Sequence, residues 1–175
     1  ISGSSAAQLG FSLTEEQQVY LATAPNYNTR NVDYFTPAQR KIIAAMTEVV
    51  IPRTETPGAI DAGVPRYIEL MVANWMEEGE RNIFATGLKD IEARIPREYG
   101  KPFNELPADD QLAIMEGLES AASDSSWYDF ANVQREFISD APFICQLKEL
   151  TIYGFFTSEV GSRQVLRYDP MPMEF

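Results

Sequence analysis

Prolines stand at most places where this sequence changes its apolar pattern, and between them the pattern has the period of an α-helix. Proline lacks a backbone N–H and has a fixed φ, so it suits the first turn of a helix and ends one elsewhere. Thr36 is the candidate N-cap of one helix, with Pro37 as its first residue and Gln39 as the capping-box partner. Ile42, Ile43, Met46, Val49 and Val50 then share one face, and Pro52 closes the run. Arg53-Thr54-Glu55-Thr56-Pro57-Gly58 is turn chemistry. A helix is expected from about Pro65 to Met76, burying Tyr67, Ile68, Met71, Val72 and Trp75.

The following helix, from about Glu80 to Ile95, carries Ile83, Phe84, Leu88, Ile91 and Ile95, and Pro96 with Tyr99-Gly100-Lys101-Pro102 breaks it. Phe103 and Leu106 staple the start of a helix that Pro107 opens, with Leu112, Ile114, Met115 and Leu118 on its apolar face. Asp109 and Asp110 suit the positive end of its dipole. After a polar linker at Ser120–Ser126, Trp127–Ile138 reads as helix that Pro142 interrupts or restarts. From Pro142 to about Thr157 the helix is apolar on most of its surface, which places it at the centre of a core or at an interface. Beyond Gly161, the tail Val165–Phe175 is extended by its prolines and apolar by content.

The first 35 residues form an arm with one short helix, for which Thr14-Glu15-Glu16-Gln17 has capping-box spacing, followed by a polar connection at Asn26–Asn31. Strand and hairpin signals are missing. The fold class is therefore all-α: a single-domain irregular bundle of about five to seven helices over residues 36–175, with extended N- and C-terminal arms.

Composition narrows the chemistry. The 175 residues include no histidine and a single cysteine, Cys145. Ser-His-Asp and Cys-His nucleophiles, the HExxH zinc helix and CxxC redox pairs are excluded. The net charge of −12 argues against wrapping nucleic acid and against docking on an anionic membrane. No apolar run reaches the roughly 20 residues of a membrane span. The chain starts at Ile1 without a charged n-region, so no signal peptide is visible; a removed leader or a trimmed chain would leave such a start.

Carboxylates are the abundant acid–base groups. The pairs considered for a glycosidase-like site, Asp109/Asp110, Glu77/Glu78/Glu80 and Glu116/Glu119, all read as helix starts or solvated faces. Neither Thr54–Gly58 nor Ser120–Asp124 has calcium-loop spacing. The glycines are scattered singly, without a G-x-G-x-x-G run or a P-loop. Cys145, between Ile144 and Leu147, reads as a buried inert thiol, and Trp75 and Trp127 as core or as partner anchors. No catalytic, metal or cofactor residue is assigned. The apolar end of the chain is different: Tyr153, Phe155, Phe156, Thr157, Leu166, Tyr168, Pro170, Met171 and Phe175 form the expected partner interface, with the N-terminal arm as second choice.

Phe35-Thr36-Pro37-Ala38-Gln39, the run Val50–Ile68 with its Pro52, Pro57-Gly58, Gly63 and Pro65 spacing, and the end Leu150-Thr151-Ile152-Tyr153-Gly154-Phe155-Phe156-Thr157-Ser158-Glu159 with Val165–Pro172 resemble the gluconate 2-dehydrogenase subunit 3 family. The similarity covers roughly residues 35–172. It implies a non-catalytic small subunit beside a large flavoprotein of the glucose–methanol–choline oxidoreductase type, in some members with a cytochrome c subunit. FAD is then expected on the partner and no cofactor on this chain. Such complexes oxidise sugars, sugar acids, polyols or glycosides. The resemblance further implies a periplasmic location reached by twin-arginine (Tat) export, the small subunit carrying its folded partner. The alternative is a stand-alone helical binding or structural domain; a carboxylate-based hydrolase is the third reading.

Overall fold

A computed structural model describes residues 32–128 and 141–166. The chain divides at Asn31/Val32, and all described residues belong to the unit Val32–Phe175. They form five α-helices: α1 (Pro37–Val50), α2 (Val64–Asn74), α3 (Glu78–Tyr99), α4 (Ala108–Ala121) and α5 (Phe143–Thr157). Short 3-10 turns lie at Phe103–Glu105 and Ser126–Tyr128, and a π-turn at Gly161–Val165 follows α5. No strand occurs among the described residues, and the fold is all-α. The Thr14–Gln17 helix start and most of the Trp127–Ile138 helix lie outside the described residues.

Capping chemistry sets the starts. The Thr36 hydroxyl accepts the Gln39 N–H at 3.2 Å and the Gln39 side chain accepts the Thr36 N–H at 3.1 Å, so α1 begins where the sequence predicts. Glycines 63 and 100, with φ of 73° and 76°, flank α2 and end α3 in the left-handed region where a side chain would be strained. α5 is the central helix: it packs on α1, α2, α3 and α4, and the π-turn folds against its end. Ile42, Ile43, Met46, Ile68, Phe84, Leu88, Ile91, Ile95, Phe103, Leu147 and Phe155 are fully buried around it.

Four expectations are corrected. Pro96 does not break α3, which continues through it to Tyr99. In the last turn a proline removes one intrahelical bond, while Ile91 and Ile95 keep the helix seated in the core. Trp75 is 68% exposed rather than buried. The Met71 carbonyl accepts N–H bonds from both Trp75 and Met76, so the chain turns there and Met76 takes the inward position instead. Leu112 is exposed, because the inward face of α4 is Ile114 and Met115 with Gln111, whose amide donates to the Phe103 and Leu106 carbonyls. Finally, the tail is not extended at its start: Gly161–Val165 is a helical turn, and Leu166 donates its N–H to the Gly161 carbonyl at 3.0 Å.

Candidate partner-binding surface

The near-continuous apolar character of α5 resolves into two faces. Ile144, Cys145, Leu147, Leu150, Thr151, Gly154 and Phe155 point into the bundle, and the Thr151 hydroxyl is satisfied by donating to the Leu147 carbonyl at 2.7 Å. Ile152, Tyr153 and Phe156 remain outside at 41%, 56% and 39% exposure. Three large apolar side chains within five residues of one helix make a contiguous surface rather than scattered exposure. Phe156 stands edge-on to the buried Phe155, with centroids 5.3 Å apart, so the exposed ring is braced from below.

Gly154 lets this part of α5 approach α2: a β-carbon there would fall 2.5 Å from the Tyr67 ring. Tyr67 is half-buried, and burial raises the pKa of its phenol, with the nearby Tyr153 phenol adding to the shift. Tyr67 thus packs against Gly154, the chain neighbour of the exposed Tyr153. At the helix end, the Ser158 hydroxyl donates to the Phe155 carbonyl at 2.6 Å and accepts the Gly161 N–H at 2.9 Å, folding the π-turn back and leaving Leu166 55% exposed.

Of the expected interface residues, Tyr153, Phe156, Thr157 and Leu166 are exposed at this end of α5. Phe155 is not: at 2% exposure it is a core residue. Its position in the sequence gives it the same character as Phe156, but helical rotation of one residue turns it inward. Tyr168, Pro170, Met171 and Phe175 lie outside the described residues.

The carboxylate pairs remain apart from any apolar pocket. Glu77 and Glu78 are exposed, and Glu119 pairs with Lys148 at 2.6 Å. Glu80 departs from the solvated-face reading: it is buried, and its carboxylate accepts the Glu77 N–H at 2.8 Å in the cap of α3. Cys145 is buried. Trp127 is buried with its indole N–H donating to Glu149 at 3.2 Å. Among the described residues no group of three His, Cys, Asp or Glu side chains is placed to hold a metal, and no helix is long and apolar enough to cross a membrane.

Sequence reasoning missed Glu69. It is 3% exposed, and its carboxylate accepts the N–H groups of Tyr34 and Phe35 at 3.0 and 3.1 Å. It also accepts the guanidinium of Arg40 through Nε and Nη2, and Arg66 Nη1 at 3.1 Å. Arg40 reaches on to Asp33 at 2.8 Å. The cluster fastens the segment before α1 onto α1 and α2. It is structural chemistry, for every acceptor position faces a fixed donor.

A family model described as Gluconate 2-dehydrogenase subunit 3 matches residues 37–173, and the chain belongs to that family. No curated protein and no solved structure matches the chain. The family is one of dehydrogenase subunits, and the all-α bundle with a braced apolar surface is the form this member takes.

Proposed function

We propose that this chain is the non-catalytic small subunit of a periplasmic FAD-dependent dehydrogenase of the glucose–methanol–choline type, acting on a sugar, sugar acid or glycoside. The observation that carries the proposal is the family match over residues 37–173. The exposed aromatic surface of α5 supports it, because aromatic and aliphatic side chains fixed on a rigid helix make effective interface anchors. The flavin, the substrate and the electron acceptor, including any cytochrome c, belong to partner subunits. The role of this chain is to stabilise the flavoprotein and accompany it through Tat export.

Affinity purification of the tagged chain from its own cells tests the reading. A co-purifying protein with bound flavin, and sugar- or gluconate-dependent dye reduction by the complex but not by the isolated chain, is the expected result. Recovery of the chain alone, with no flavoprotein under gentle lysis, overturns it.

A further inference from the structure

The loop between α1 and α2 is built with unusual economy of motion. Both oxygens of Glu48 accept backbone N–H groups, from Arg53 at 2.8 Å and from Ile60 at 3.1 Å. Asp61 accepts the Gly58 N–H at 3.0 Å and the Arg53 Nε at 2.6 Å, with Arg53 Nη2 on its second oxygen. Ala59 donates to the Ile51 carbonyl at 2.9 Å. Gly58 has no room for a side chain, since a β-carbon would fall 2.6 Å from the Arg53 nitrogen. Everything these bonds fix, Arg53 included, is at the base of the loop. The tip, residues 54–56, is exposed and polar.

The tip and the end of α5 face each other. Residues 53–57 and Asp61 line one side of an open bowl of about 420 Å3, and Val160, just before the π-turn, and Gln164 within it line the other. Val160 follows Phe156 by four residues, across the extended Ser158 that ends α5. It sets one guanidinium, already paired, against two carboxylates, and Glu55 has no ion pair among the described residues.

Taking the chain as a dehydrogenase small subunit, as proposed above, we infer that the 53–57 loop and this bowl are part of the docking surface for the catalytic subunit. The partner segment that fits presents an apolar side chain to Tyr153 and Phe156 and, beside it, a lysine or arginine that enters the bowl toward Glu55. A polar tip held rigid from below loses little entropy on binding, and such ordering is useful where a second protein must read the loop. The excess carboxylate in the bowl selects a cation.

Site-directed cross-linking on the purified complex tests this. Cys145 is buried, so Thr56→Cys, Tyr153→Cys and the control Glu116→Cys on α4 each carry one accessible thiol for a maleimide–benzophenone label. The expected result is a photo-adduct with the flavoprotein subunit from positions 56 and 153 but not from 116. In addition, Glu55→Lys weakens the complex by about tenfold at low salt, and added salt reduces the difference. An adduct from 153 without one from 56, or Glu55→Lys binding at wild-type strength, overturns this inference and leaves the subunit assignment standing. A preparation that holds no dehydrogenase overturns both.

Discussion

Glu69 shows how much one buried carboxylate can organise. Burial by itself raises the pKa of the group. The hydrogen bonds from Arg40, and then from the Phe35 and Tyr34 N–H groups, outweigh burial and hold it below the ordinary value of 4.5. A depressed folded pKa means that the carboxylate's stabilisation is complete above the unfolded value and is lost as pH falls through the folded one. Glu69→Gln keeps the shape but leaves Arg40 and Arg66 facing a neutral amide. Because Arg40 is more than a third exposed at its side chain, the cost at neutral pH is put at about 1–2 kcal/mol rather than that of a fully buried pair. Urea denaturation should show that gap near neutrality and a progressively narrower one as the pH falls below the ordinary carboxylate range, where the wild type loses its own advantage. A gap of constant size across that range would mean that the carboxylate's charge is not what holds the 32–35 segment.

At the scale of elements, helix starts were legible and long-range partners were not. Thr36-Pro37 and Gln39 place α1 because a capping box is local chemistry, complete within four residues. Pro142 and the apolar run after it place α5 without a capping box, because a proline's fixed φ marks a helix start locally. Pro96 misleads because its cost depends on how many turns remain, and Trp75 because its fate depends on where the Met71 carbonyl finds its second donor. Glu69 is illegible: apart from Arg66, its partners are 29 to 35 positions away, and on α2 it looks like any helical glutamate. The α3–α5 crossing was equally hidden. It is set by Gly87, where a β-carbon would collide with the Cβ and Cγ of Phe143, itself a core residue close to its backbone and unable to move aside. Gly87→Ala gains up to about 1 kcal/mol in helix propensity and loses about 1–3 kcal/mol to overpacking. The net expectation is a destabilisation of about 1 kcal/mol, visible as a lower urea midpoint. Stabilisation by the same amount would show that α3 and α5 have freedom to separate.

Taken as a molecule, the bundle uses α5 twice, with one face as the centre of the core and the other as the most apolar part of its end. Zero histidines and one buried cysteine exclude His- and Cys-based chemistry at this end of the bundle, where the outer face of α5 stays exposed and apolar. The two demands are separable by mutation, because Tyr153 and Phe156 are exposed while the neighbouring Gly154 and Phe155 are buried. Tyr153→Ser with Phe156→Ser removes exposed aromatic area and leaves the packed face intact, so folding stability should move by no more than about 0.5 kcal/mol per site. If the pair anchors the catalytic subunit, the loss on binding is that of a hot spot, at least about 2 kcal/mol, or roughly thirtyfold in Kd. Thermal unfolding of the isolated variant and titration of the flavoprotein against it read the two quantities independently. A variant that unfolds early assigns these rings to the fold, and one that both folds and binds as wild type moves the interface elsewhere on the molecule. Only unchanged unfolding together with lost binding is the signature of a helix whose outer face is kept apolar for a partner.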